Sequence, residues 1–377
     1  MKIAVVHSYY SSRMPSGENT VVDEQVRTLR DAGHEVRLIA RRTDDEERAA
    51  GYAVRSAATV ATGFGPSPEA ELTAFAPDVV HVHNTFPNFG TRWLKRWGPR
   101  TVLTVHNYRS ACAAATLYRD GAECTECLTK RPAVPAVRYG CYRGSRLATV
   151  PVALGASPGG GLRRILTEPA QLVALNSRMA EILGPLTPRS ISVIPNFVRH
   201  AETSVPVDAR SWVFVGRVTE EKGLARLLER WPEGHRLDVV GTGPQADQLV
   251  ARFPLPAVTW RGALPRDQVL AELGRYTGLL IPSGWSEGIP TVALEALARG
   301  VPIGVSREVA SGPDLVRAGA ARILELEAGT RELQQGLERI SQDPTARQSA
   351  RQLHTHSYSP EAWLSQILPI YQHLSGS

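Results

Sequence analysis

The segment Leu279-Leu280-Ile281-Pro282-Ser283-Gly284-Trp285-Ser286-Glu287-Gly288-Ile289-Pro290-Thr291-Val292-Ala293-Leu294-Glu295-Ala296-Leu297-Ala298-Arg299-Gly300 packs a strand, a loop and a helix into one short run. Leu279 to Ile281 suits a buried strand, Pro290 the first helical turn and Gly300 the C-terminal cap. A strand feeding a helix through a tight loop is the unit of a parallel α/β sheet, and ligands bind at the carboxyl ends of such strands. From Thr291 to Ala298 the helix is apolar on every face except at Glu295. An ionised carboxylate in an apolar shell costs several kcal/mol (roughly) unless donors meet it, and the adjoining sequence offers none. A ligand diol would supply two hydroxyls. Glu287 sits just before the helix, where free amides and the positive end of the helix dipole favour a phosphate. The competing reading makes Glu287 a solvated loop residue and has Glu295 either snorkel to solvent or pair with an arginine.

Outward from this segment the chain alternates strands and helices. Lys2 to Ser8 reads as a strand, and Val22, Val26 and Leu29 fall at helical spacing closed by Gly33, before a second strand from His34 to Ala40. Asp78 to His83 and Thr101 to His106 are further buried strands, each ending in histidine; Leu172 to Leu175 and Ile191 to Ile194 follow. Val198 to Arg210 is polar and Pro-bearing, as expected of an interdomain linker. Trp212 to Arg217 restarts the pattern, continued by strands at Leu237 to Val240, Val258 to Trp260, Gly278 to Pro282 and Pro302 to Val305. Trp363, Ile367, Ile370 and Tyr371 mark a terminal helix. Gly155 to Gly161 is expected to be a flexible loop near the site. No Gly-x-Gly-x-x-Gly follows the first strand, so a bound dinucleotide is not expected.

At 377 residues the chain suits two domains, each with its own core. It holds no run of apolar residues long enough to span a bilayer, and its first residues turn polar too early for a signal peptide, so a cytoplasmic protein is expected. The net charge of +6 fits an anionic partner: a nucleotide, a nucleic acid or the inner membrane face.

The spacing Glu287-x7-Glu295, within Ser286-Glu287-Gly288-Ile289-Pro290-Thr291-Val292-Ala293-Leu294-Glu295-Ala296, resembles the signature of the retaining family 4 (group 1) glycosyltransferases. Gly216-Arg217-Val218-Thr219-Glu220-Glu221-Lys222-Gly223 matches that family's donor-phosphate motif. Ile194-Pro195-Asn196, Val239 to Pro244 and Val301-Pro302-Ile303 follow in family order. The resemblance implies the GT-B fold: two Rossmann-like domains facing across a cleft, with the last helix crossing back to the first domain. The domains are expected at residues 1–198 (acceptor) and 199–358 (nucleotide-sugar donor), with the returning helix at 359–377.

The same resemblance implies transfer of a sugar from a nucleoside diphosphate to an acceptor hydroxyl, with retention and without a catalytic divalent ion. Arg217 and Lys222 would hold the diphosphate, Glu287 the donor sugar, Glu295 the ribose and His106 the sugar and reaction centre. Donor contacts would also come from the amides of Gly288, Ile289, Thr291 and Val292. Many members carry glycine where this chain has Pro290, which removes one donor. Pro15-Ser16-Gly17-Glu18-Asn19 aligns with a loop that usually carries Gly-Gly; only Gly17 is kept. The acceptor could be a glycan, a lipid-linked sugar or a small-molecule glycoside, the lipid case implying contact with the inner membrane face.

Cys112, Cys124, Cys127 and Cys141 form an insertion at 112–141. In a reducing compartment this spacing favours a structural, four-thiolate Zn²⁺ site, with free thiols or disulfides as the alternatives. Two rival functions remain at this level: another GT-B enzyme such as a sugar-nucleotide epimerase, and a zinc-stabilised, basic nucleic-acid-binding protein using Arg131, Arg138, Tyr139, Tyr142, Arg143 and Arg146.

Overall fold

The computed structural model describes residues 1–13, 16–129, 133–200, 207–208 and 211–376. Its strands in chain order are β1 (Lys2–Tyr9), β2 (Glu35–Arg42), β3 (Val79–Asn84), β4 (Thr101–Val105), β5 (Tyr118–Arg119), β6 (Ala122–Glu123), β7 (Gln171–Ala174) and β8 (Ile191–Val193). The second half adds β9 (Ser211–Val215), β10 (Arg236–Val240), β11 (Val258–Gly262), β12 (Gly278–Ile281), β13 (Ile303–Val305) and β14 (Ala321–Ile323). They assemble into two six-stranded sheets, ordered β2-β1-β3-β4-β7-β8 and β11-β10-β9-β12-β13-β14, and one short hairpin, β5-β6. Every ladder in the two large sheets is parallel.

Parallel sheets are covered on both faces, which is why their strands read as unbroken apolar runs. Thr101–Val105 and Gly278–Ile281 are buried along their whole length. Two compact units result. One comprises Met1–Leu117, Cys124–Pro195 and Trp363–Ser377; the other comprises Tyr118–Glu123 and Asn196–Ala362. The last helix, Pro360–Ser375, thus returns to the first unit, where the Tyr371 phenol meets His81 Nδ1 at 2.6 Å.

Three features escape the sequence reading. Strand β14 is a three-residue edge strand, Ala-Arg-Ile, too short for alternation to register. The helix Tyr52–Thr62 carries mostly small residues and shows no strong apolar stripe. Gly155 to Gly161 is not a loose loop: a Cβ at Gly155 would lie 2.3 Å from the Val60 carbonyl oxygen, and one at Gly161 2.4 Å from the Gly63 nitrogen. These glycines let two backbones touch. Most of the expected linker, at 201–206 and 209–210, falls outside the described residues.

His81 is fully buried, with Thr104 Oγ1 2.8 Å from its other ring nitrogen. Replacing Tyr371 by Phe leaves one buried nitrogen unpartnered and is expected to lower the stability of the first unit by about 1–3 kcal/mol. Chemical denaturation checks this; a loss below about 0.5 kcal/mol would show that the phenol does not serve the histidine in solution.

Candidate active site

In the second unit the carboxyl end of β12 runs into the loop Pro282–Pro290 and then the helix Thr291–Ala298. Pro290 precedes the helix with extended backbone and provides no side-chain cap. The amides of Gly288, Ile289, Thr291 and Val292 make no hydrogen bond within the described residues. They form an unsatisfied N-terminus suited to an anion.

Glu287 is buried, and Lys222 Nζ donates to its Oε1 while Ser283 Oγ donates to Oε2 at 2.7 Å. Lys222 also lies 6.0 Å from the Trp285 ring centroid. Two residues named from separate motifs therefore meet. Their loops are tied by the Gly284 amide donating to the Glu221 carbonyl at 2.9 Å, and Gly223 makes the approach feasible. Its φ is +69°, and a Cβ there would sit 2.0 Å from the Pro282 carbonyl oxygen. Arg217 stands apart, its side chain exposed and 3.6 Å from Glu221.

Glu295 is buried, but the expectation that no donor lies near it fails. Arg266 reaches its Oε1 from the preceding helix Arg266–Leu273, with Nε at 2.9 Å and Nη2 at 2.6 Å. Sequence distance concealed this partner, because only the sheet order brings the two helices side by side. The Arg266 side chain is half exposed, and the second carboxylate oxygen of Glu295 is neither bonded nor enclosed.

In the first unit four histidines gather at the carboxyl ends of β1, β3 and β4. His7, His81 and His83 are buried, and His106 follows β4. His83 Nδ1 and His106 Nε2 are 3.0 Å apart, and the His81 and His83 ring centroids lie 4.1 Å apart with the planes tilted by 38°. Burial lowers every one of these pKa values: His7 to about 4, His81 and His106 to about 3, and His83 well below its ordinary value, with neighbouring histidines adding to the effect for His83 and His106. The rings are neutral at pH 7. His83 Nε2 is enclosed without a partner. An enclosed lone pair is tolerated better than an enclosed N–H, so His83 carries its proton on Nδ1 and donates to His106 Nε2. His106 then presents Nδ1–H, a donor and not a base.

Gly17 opens the helix Gly17–Asp31, so part of the expected loop is helical; Pro15 of that loop lies outside the described residues. Ser16 caps this helix, accepting from the Asn19 amide. Glu18 is a residue that the sequence motifs do not single out. Burial pushes its carboxyl up to about 8, opposed by a hydrogen bond from Asn107 and by the Arg109 charge. Asn107 Nδ2 donates to Oε2 at 3.4 Å, and Oε1 is enclosed without a partner. Its place beside Gly17 was the only available signal.

The cysteines do not form a ready site: among the described residues no three His, Cys, Asp or Glu side chains are placed to hold a metal ion. The thiols do gather. Burial first, and then Cys112, Cys141 and Cys124, push the Cys127 thiol up to about 12. Cys127 and Cys141 share an apolar cluster with Phe86 and Val152, an environment that keeps a metal-free thiol protonated.

Comparison with known proteins agrees with this architecture. Residues 15–202 match the profile described as Glycosyltransferase Family 4, and residues 209–343 that of Glycosyl transferases group 1. A putative teichuronic acid biosynthesis glycosyltransferase, TuaC of Bacillus subtilis, is 30% identical over 37% of this chain and 39% of its own length. Sucrose-phosphate synthase of Thermosynechococcus elongatus superposes with a TM-score of 0.68 at 16% identity, covering 100% of this chain and 99% of that one. Anabaena HepE, solved in complex with UDP, gives 0.60 at 12% identity, covering 99% of this chain and 100% of HepE. The two sheets are those of a GT-B fold, with the terminal helix returned to the first unit. The chain belongs to the group 1, family 4 glycosyltransferases.

Glu18 provides a stability test. A carboxyl raised from 4.5 to about 8 contributes stability that is present in full below pH 4.5 and lost as pH rises through 8. Glu18→Gln abolishes that loss, so the variant is expected to melt at least about 2 °C above the wild type at alkaline pH, with a smaller gap in acid. Calorimetry showing equal melting temperatures at both ends would place an ionised, compensated carboxylate there.

Proposed function

We propose that this chain is a retaining glycosyltransferase that uses a nucleoside diphosphate sugar. The observation that carries the proposal is the junction of Lys222, Ser283 and Glu287 beside the four free amides from Gly288 to Val292. TuaC is named for teichuronic acid synthesis and HepE was solved with UDP, so a polysaccharide or related acceptor and a uridine donor are the first to test.

Within this reading the diphosphate draws Lys222 from Glu287, and Arg217 swings to the same anion. Glu287, released, accepts from sugar hydroxyls. The ribose diol donates to the open oxygen of Glu295, while Arg266 keeps the other compensated. As the anomeric C–O bond breaks, charge develops on the departing diphosphate, where fixed cations stabilise it. The acceptor oxygen forms the new C–O bond on the same face and passes its proton to the leaving phosphate. The family resemblance assigns His106 to the sugar, and Nδ1–H is the donor that its ring offers. These cations make a catalytic divalent ion unnecessary.

Titration calorimetry with UDP, GDP and ADP is expected to reveal one bound nucleotide. Glu295→Gln should weaken it more than Glu287→Gln. Arg217→Ala or Lys222→Ala should each lower kcat/KM by about 100-fold or more, and turnover should persist in EDTA. Salt-dependent RNA or DNA binding with no affinity for any of the three nucleotides would replace this reading with the nucleic-acid one. Epimerisation of a free sugar nucleotide would replace transfer.

We also propose that the four cysteines take one structural Zn²⁺. What supports it is the gathering of four thiols on a short chain segment, the donor set of a closed zinc site. Binding would exchange four protons for the metal and draw the sulfurs together. Elemental analysis of protein prepared under reducing, chelator-free conditions should give close to one zinc per chain; below about 0.2 rejects the site.

A further inference from the structure

Ten large apolar side chains are exposed on the described residues, and seven of them lie on or beside three neighbouring helices of the first unit. The middle helix, Arg146–Ala156, packs against both Tyr52–Thr62 and Ala133–Tyr139. It is two-faced. Thr149, Val152, Ala153 and Ala156 are buried, while Leu147, Val150 and Leu154, at i, i+3 and i+7, form an outward stripe, with Leu147 86% exposed. The flanking helices add Val54 and Val134, 75% and 62% exposed.

The charge on this layer has one sign. The helices Tyr52–Thr62, Ala133–Tyr139 and Arg146–Ala156 carry Arg55, Arg138 and Arg146 and no Asp or Glu, and Arg143 lies in the turn between the last two. Arg138, Arg143 and Arg146 are exposed and make no ion pair with a carboxylate among the described residues. An aliphatic stripe bordered by unneutralised guanidinium groups is complementary to a surface with hydrocarbon below and anionic headgroups above. The stripe is Val and Leu, which cannot stack on bases as a nucleic-acid platform requires. A second copy would bring unpaired arginines against one another.

We infer that the helices Tyr52–Thr62, Ala133–Tyr139 and Arg146–Ala156 form a docking surface for an anionic phospholipid bilayer. The stripe would enter the headgroup boundary with the arginines at phosphate level. An enzyme seated this way works on acceptors carried in the membrane, such as lipid-linked sugars. The docking itself rests on the surface and not on the glycosyltransferase reading.

The test is co-sedimentation of the full chain with vesicles of phosphatidylcholine alone or mixed with phosphatidylglycerol, with nucleotide binding measured in parallel. The wild type should bind the mixed vesicles and not the neutral ones, with affinity falling at high salt. Arg138→Gln/Arg143→Gln/Arg146→Gln should weaken binding about 100-fold, and Leu147→Asp/Leu154→Asp at least about 10-fold, both variants keeping wild-type circular dichroism. Failure of the wild type to bind the mixed vesicles, or equal binding to both kinds, overturns the inference. So does an RNA complex or a dimer, abolished by the same substitutions, in protein that ignores vesicles. Vesicle binding without nucleotide binding would sustain the docking surface and remove the transferase reading; the reverse would do the opposite.

Discussion

A buried carboxylate at the mouth of a parallel sheet must be met by a cation, and the second unit is built around that requirement. Glu287 takes its cation from Lys222, on a loop remote in sequence. The two loops can touch because Gly223 has no side chain and holds a left-handed conformation. The amide of Gly284 then joins the second loop to the first. With this junction in place, the amides at the start of the helix Thr291–Ala298 are left without partners among the described residues. In the proposed reading, the atoms that stabilise this loop are those a diphosphate sugar would engage, so binding would exchange partners and leave no charge uncompensated.

The first unit solves a different problem. Four histidines at its strand ends and the Glu18 carboxyl in the first turn of the helix Gly17–Asp31 are kept neutral mainly by burial. Neutral rings can pass a defined tautomer from one to the next: hydroxyls of Thr104 and Tyr371 hold His81, and His83 orients His106. Tyr371 comes from the last helix, so closure of the chain on the first unit and order at its histidines are one event. Beyond them, the close backbone contact at Gly155 and Gly161 seats the helix Arg146–Ala156 so that one face is buried and the other presented outward.

The sequence by itself determined the class of fold. Short apolar runs alternating with segments of helical spacing read as buried parallel strands and their crossover helices, and the restart at Trp212 set two such sheets. Its motifs also singled out Lys222, Glu287 and the amides around Pro290, through their resemblance to the family 4 pattern. What it could not supply was contact across distance. The Arg266 partner of Glu295, the enclosure of Glu18, the passage of a hydrogen bond from His83 to His106 and the incomplete approach of the four cysteines all depend on which helix lies beside which strand. That order is decided by packing the sheet, where side chains far apart in the chain share one desolvated space and each alters the charge its neighbour can carry.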